Sequence, residues 1–313
     1  MKVLILMPET SRRFSSALYA SLRMRVGTCD VYRLDEEQWE SIEDFFRRFV
    51  PKDQYDRIVL SASPEYLLKK RRFFREIPGL VVLCMDYDKV RRPQIARLFA
   101  KMPWIRWIGI DDEACAEFVR HGWDASWVPP AYDPEWFHAG RPVRETPVVH
   151  VFDPSGTLDV PWQDVDPAGQ IRVEQVLLAG SDQYLSEHVK PQDIFLFYPE
   201  SEHYEPTLAV HAMASGAVVL LPTLNLKRRV LYGWHDRQDC VFFGNVEALP
   251  ELLDKLLQDN ALREKISQNA VEKIKLFHPR DVGQRLGACL EPALRNPRDY
   301  PAPRRIFGIE LGW

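Results

Sequence analysis

The chain has 313 residues, 46% of them apolar and 27% charged, a globular composition with length for two ordinary domains. Its formal net charge of −4 argues against a protein devoted to nucleic acid. Five scattered cysteines, Cys29, Cys84, Cys115, Cys240 and Cys289, contain no Cys-x-x-Cys pair and support neither a disulfide framework nor a zinc ribbon.

The apolar run Met1–Met7 ends at Pro8, too short for a signal peptide, and is expected to form a buried strand over Val3–Met7. Helix and strand signals then alternate. Ser15–Arg25 reads as an amphipathic helix, Asp30–Leu34 as a strand and Trp39–Phe49 as a helix. Strands follow at Arg57–Ser61, Leu80–Met85, Trp104–Ile110 and Ala125–Val128, separated by helices at Tyr66–Arg75, Gln94–Lys101 and Asp112–His121. Such alternation implies a parallel, doubly wound α/β sheet. Pro129 to Pro147 is rich in proline and lacks periodicity, as linkers do.

A second α/β series begins at Val148–Phe152 and continues with strands at Arg172–Ala179, Ile194–Tyr198, Ala217–Leu221 and Val241–Phe243. Helices are expected from Pro206 through Met213, at Leu249–Gln258, at Asn260–Phe277 and at Asp281–Leu294. The domains are accordingly placed at 1–135 and 148–290, with a linker at 136–147. The tail 291–313 is then available to pack back on the first domain. No apolar stretch is long enough to cross a bilayer, which points to the cytoplasm.

The most informative stretch is 192–222. A buried strand leads into a polar loop carrying Glu200, Glu202, His203 and Glu205, and Pro206 suits the first helical position. Ligands of parallel sheets bind at the carboxyl ends of the strands, and free N–H groups near Pro206, Thr207 and Leu208 favour an anion such as a phosphate. Thr207, His211 and Ser215 are four apart and share one helix face. The same spacing equally suits an ordinary buried crossover.

Ala212-Met213-Ala214-Ser215-Gly216-Ala217-Val218-Val219-Leu220, preceded by Asp193–Pro199, resembles the nucleotide-sugar-binding segment of family 4-like glycosyltransferases. Gly122–Phe137 resembles that family's interdomain stretch, and Met85-Asp86-Tyr87-Asp88 has the look of its spore-maturation-like branch. The resemblance implies a GT-B architecture, two Rossmann-like domains with a cleft between them. It also implies a transferase, retaining and metal-independent, that uses a nucleotide-diphosphate sugar as substrate and no cofactor. The acceptor is open: a glycan, a lipid-linked group, a protein or a nucleic acid.

In the family pattern two acids stand eight residues apart. Here those positions fall on His203 and His211, with Glu205 taking the first only if the loop is two residues shorter. The catalytic candidates are therefore His203, Glu205, Asp86 and Asp88. The donor candidates are Glu202, Pro206, Thr207, Leu208, His211, Ser215, Lys227 and Arg228, with His211 near the ribose. Arg12, Arg13 and Tyr87 are weaker acceptor or phosphate candidates. Lys227-Arg228-Arg229 could offset diphosphate charge or be a solvated basic turn. Lys69–Arg75, the densest basic run, reads as a solvated helix end or as a surface for an anionic partner. A catalytically silent GT-B-like binding or partner protein and a nucleotide-sugar isomerase remain open as alternatives.

Overall fold

The computed structural model describes residues 1–9, 16–51, 54–77, 79–84, 92–154, 156, 158, 172–176, 181–198, 207–224, 226–300, 305–306 and 309–310. The chain divides into two compact units, Met1–Pro129 with Arg280–Trp313, and Pro130–Pro279. The sequence reading carried the second domain to 290. The structure groups residues from Arg280 onward with the first unit.

In the first unit, strands β1 (Lys2–Pro8), β2 (Thr28–Leu34), β3 (Arg57–Leu60), β4 (Leu80–Cys84), β5 (Arg106–Gly109) and β6 (Ala125–Trp127) form one sheet in the order β2-β1-β3-β4-β5-β6. Every pairing in it is parallel. The central strands bury both faces, as their unbroken Val, Ile and Leu runs require. Helices α1 (Ser16–Val26), α2 (Glu36–Glu40), α3 (Ile42–Phe49), α4 (Pro64–Lys69), α5 (Arg71–Phe74), α6 (Arg92–Lys101) and α7 (Asp112–Arg120) connect them.

Two expected helices divide. Trp39–Phe49 belongs to α2 and α3, which meet at Ser41; its hydroxyl donates to Glu37 O at 2.7 Å and caps nothing. An Asp35–Gln38 capping box starts α2 three residues before Trp39, a signal absent from the hydrophobic pattern. Tyr66–Arg75 likewise divides at Lys70 into α4 and α5, with Ser63 and Pro64 opening the former.

In the second unit, β7 (Val148–Phe152), β8 (Arg172–Gln175), β9 (Ile194–Phe197), β10 (Val218–Pro222) and β11 (Val241–Phe243) form a parallel sheet ordered β11-β10-β9-β7-β8. Helices α8 (Ser181–His188), α9 (Thr207–Ala214), α10 (Leu226–Tyr232), α11 (Leu249–Gln258) and α12 (Asn260–Lys273) accompany it. Val149, Val151, Ile194, Leu196, Val218 and Leu220 build its core with Leu249, Leu253, Leu256 and Ile266. The fold class matches the expectation: two parallel sheets flanked by helices.

A polar chain crosses this core. The His150 ring is fully buried, with Nε2 3.2 Å from Asp193 Oδ2 and Nδ1 3.0 Å from the Tyr184 hydroxyl. That hydroxyl donates to Glu174, which also meets Arg172 at 2.5 Å. Asp193 accepts the N–H groups of Val148 at 3.0 Å and Lys190 at 2.9 Å, so its carboxylate organises the amino ends of β7 and β9.

The last helix, α13 (Pro279–Leu290), stops short of the expected Leu294 because Pro292 cannot donate to a helical carbonyl and disfavours the turn before it. It lies against α1. A Cβ on Gly283 would stand 2.7 Å from Ser21 Cβ, and one on Gly287 2.5 Å from Arg25 Cγ, so the close approach requires glycine. Beyond α13 the chain stays with this unit: Arg75 donates to Tyr300 O, and Arg295 Nη2 to Gly122 O at 2.6 Å.

Candidate active site

The strand order of the second unit reverses between β7 and β9: β8 lies to one side, and β10 and β11 follow on the other. Open parallel sheets bind ligands at the carboxyl ends of the strands flanking such a reversal. Here β7 and β9 end together, with Tyr198 N–H donating to Phe152 O at 2.8 Å. After β7, Asp153 folds the chain back by accepting Gly156 N–H at 3.0 Å and Leu158 N–H at 2.8 Å. After β9, residues 199–206 lie outside the described residues, and α9 begins at Thr207.

Helix α9 is apolar enough to be buried on all sides, and all eight of its residues are buried. It packs on β9, β10, α8 and α12. Thr207, its first residue, is 2% exposed, and its Oγ1 has no hydrogen-bond partner among the described residues. A buried hydroxyl without a partner costs roughly 1–3 kcal/mol, and this one lies at the helix N-terminus. Leu208 is fully buried.

His211 is one turn further along, about 6 Å at 1.5 Å per residue. It is 3% exposed and stacks on Phe137 with ring centroids 4.2 Å apart and planes at 15°. Ser215 lies about 12 Å from Thr207 by the same rise, fully buried, its Oγ likewise without a partner among the described residues. A phosphate at the amino end of α9 would be out of its reach. Gly216 ends the helix at φ +80°, as expected. Its would-be Cβ stands 3.1 Å from both Ala139 Cβ and Pro191 Cβ.

Among the basic candidates, Lys227 is exposed on α10, and the Arg228 side chain falls outside the described residues. Their neighbour Arg229 has its guanidinium 5.4 Å from the centre of the Phe242 ring. Glu202, His203, Glu205, Pro206, Asp86, Tyr87, Asp88, Arg12 and Arg13 also lie outside the described residues. The sequence reading missed Phe137, which it assigned to the linker. The signal was the turn-forming Asp133-Pro134 pair four residues before it.

Among the described residues no cluster of three or more His, Cys, Asp or Glu side chains could hold a metal ion. No described helix is long and apolar enough to cross a membrane. Cys29, Cys84, Cys115 and Cys240 are buried thiols outside any disulfide, and burial pushes Cys29 up to about 12, far from a reactive thiolate at neutral pH.

No protein-family profile and no curated protein matches the chain in sequence. Solved structures match it in fold. Alr3699/HepE of Anabaena, in complex with UDP-glucose, superposes with a TM-score of 0.60 at 12% identity, covering 93% of this chain and 99% of that one. A glycosyltransferase from Rickettsia africae ESF-5 superposes at 0.56 with 7% identity, over 93% and 99%. WaaG, a glycosyltransferase involved in lipopolysaccharide biosynthesis, superposes at 0.53 with 12% identity, over 93% and 100%. At such identities the likeness speaks to the backbone, and it shows that the chain has the two-unit, parallel-sheet α/β fold of the GT-B glycosyltransferases.

Proposed function

We propose that the chain is a family 4-like glycosyltransferase that moves a sugar from a nucleoside-diphosphate donor to an acceptor, with retention and without a metal. The observation that carries this reading is the amino end of α9 at the β7/β9 strand-order reversal, with the buried Thr207 hydroxyl in its first turn, which has no partner among the described residues. In transfer, the bond from the anomeric carbon to the distal phosphate oxygen breaks, and its electron pair leaves with the diphosphate. The acceptor oxygen bonds that carbon and gives up its proton. Negative charge therefore grows on the diphosphate, where fixed N–H donors and a helix dipole stabilise the transition state more than the ground state.

In this reading Pro206, Thr207 and Leu208 surround the diphosphate, and His211 lies near the ribose. Glu205 or His203 meets the sugar, Glu202 is a further donor contact, and Lys227 or Arg228 stabilises the departing charge. Asp86 or Asp88 takes the acceptor's proton, with Tyr87, Arg12 and Arg13 as further acceptor or phosphate contacts.

Mass spectrometry of the purified chain with a panel of nucleotide sugars tests the reading. Slow release of nucleoside diphosphate and free sugar, lost in Glu205→Gln and in His211→Ala, is the expected result. Undiminished turnover in both variants would defeat the site assignment. Binding with no turnover of any donor would favour a silent binding protein, and an altered sugar still on its nucleotide would favour an isomerase.

A further inference from the structure

We propose that Phe137 is a positioning residue for the donor site, setting the plane of the His211 ring; the inference rests on the donor-site reading above. Phe137 lies in the stretch that the sequence presents as linker, yet the local structure makes it a fixed platform. Its N–H donates to Asp133 O at 2.8 Å, Trp136 N–H donates to the same oxygen at 3.0 Å, and Glu135 N–H donates to Asp133 Oδ1 at 3.0 Å. Arg141 Nη2 adds a bond to Trp136 O at 3.3 Å. Pro134 sits inside this turn, where its fixed φ removes a degree of freedom.

From that turn the Phe137 ring reaches α9 and lies nearly parallel to His211, both being under 5% exposed. Two residues on, Ala139 abuts Gly216 at the end of the same helix. The segment 137–139 thus rests on the His211–Gly216 half of α9.

The consequence follows from imidazole geometry. The terminal torsion of histidine is a broad, soft rotation, and a parallel ring at 4.2 Å stops it. Both ring nitrogens make their hydrogen bonds in the ring plane, one bond each, whereas a carboxylate offers about four acceptor positions. A carboxylate at 211 would tolerate rotation. An imidazole there has a single useful orientation, so the residue that fixes its plane bears on ligand affinity without touching the ligand.

The test uses the full chain and isothermal titration with UDP, the nucleotide of the HepE complexes, alongside ADP, GDP and CDP. For whichever diphosphate binds, Phe137→Leu should weaken binding by about 2- to 10-fold, the factor associated with immobilising one side chain. Phe137→Tyr, which keeps the ring, should stay within about twofold of wild type. Once His211→Ala has been introduced, adding Phe137→Leu should weaken binding no further. Unchanged affinity in folded Phe137→Leu, or an equal loss in the His211→Ala background, would overturn the positioning role and leave the donor reading standing. Wild-type chain that binds none of the four diphosphates would overturn both.

Discussion

Arg106 offers the sharpest test of how the first unit holds its last helix. Its side chain is 6% exposed and uses all five N–H donors. Nε and Nη2 make a fork to the two oxygens of Asp124 at 2.9 and 3.0 Å. Nη1 donates to Cys289 O and Pro292 O, both at 3.0 Å, and Nη2 also to Ala293 O at 3.1 Å. The guanidinium thus neutralises a carboxylate and satisfies carbonyls at the end of α13, where a cation also complements the helix dipole. Arg57 assists, donating to Leu290 O at 2.8 Å and Pro292 O at 3.0 Å, although burial, together with the Arg106 charge, holds its pKa below the usual value.

Arg106→Met removes these bonds and leaves Asp124, only 18% exposed in its side chain, without its counter-ion. Breaking a buried ion pair from one side costs about 3–5 kcal/mol. A folded domain holds about 5–15 kcal/mol in all, so the loss should be visible as a large shift in the urea midpoint followed by tryptophan fluorescence. Adding Asp124→Leu should recover part of the loss, because it removes the stranded charge. Arg106→Lys should behave nearly as badly as Arg106→Met, since a point charge with three donors cannot reproduce the fork. A loss below about 1 kcal/mol in Arg106→Met, the range of exposed surface pairs, would refute the reasoning.

Three further outcomes follow from the same physics. Gly216→Ala should cost about 1–3 kcal/mol in urea unfolding, because φ is +80° and the new Cβ would press on Ala139 and Pro191 at 3.1 Å. An unchanged midpoint would mean that the turn relaxes. Gly283→Val should cost a similar 1–3 kcal/mol by overpacking against Ser21, read as faster amide exchange in α1 and α13 than in the wild type. At Glu174, burial raises the carboxyl pKa, but the Tyr184 hydroxyl and Arg172 outweigh it and hold it below the ordinary value. Its stabilisation is therefore full above the ordinary carboxylate pKa and is lost as pH falls through the folded-state value. Tyr184→Phe should flatten the fall in stability that the wild type shows in urea titrations as pH drops below the ordinary carboxylate range; an identical slope would remove Glu174 from that acid response.

Much of the fold was legible in the chain. The buried strands are short runs of Val, Ile, Leu and Phe, and Ser215-Gly216 closes a helix where the sequence places its stop; Ser63-Pro64 and Pro292 are equally local signals, but the expected helices Tyr66–Arg75 and Asp281–Leu294 passed over them. Signals of this kind act over a few residues, so sequence alone carries them. The division of Trp39–Phe49 was harder, because hydrophobic period is continuous across Ser41 while the backbone hydrogen bonds are not.

The site divides along the same line. The helix at Thr207 and its glycine stop were determined by the sequence, as was the presence of histidines where the resembled family has acids. Tertiary structure alone decided that Phe137, 74 residues from His211 in the chain, lies flat against its ring. It also decided that the segment from Arg280 onward joins the first unit, through Arg57, Arg106, Gly283 and Gly287. Neither result is periodic or local. Both depend on which surfaces meet once the sheets have formed, a property of packing in three dimensions that no window of residues contains.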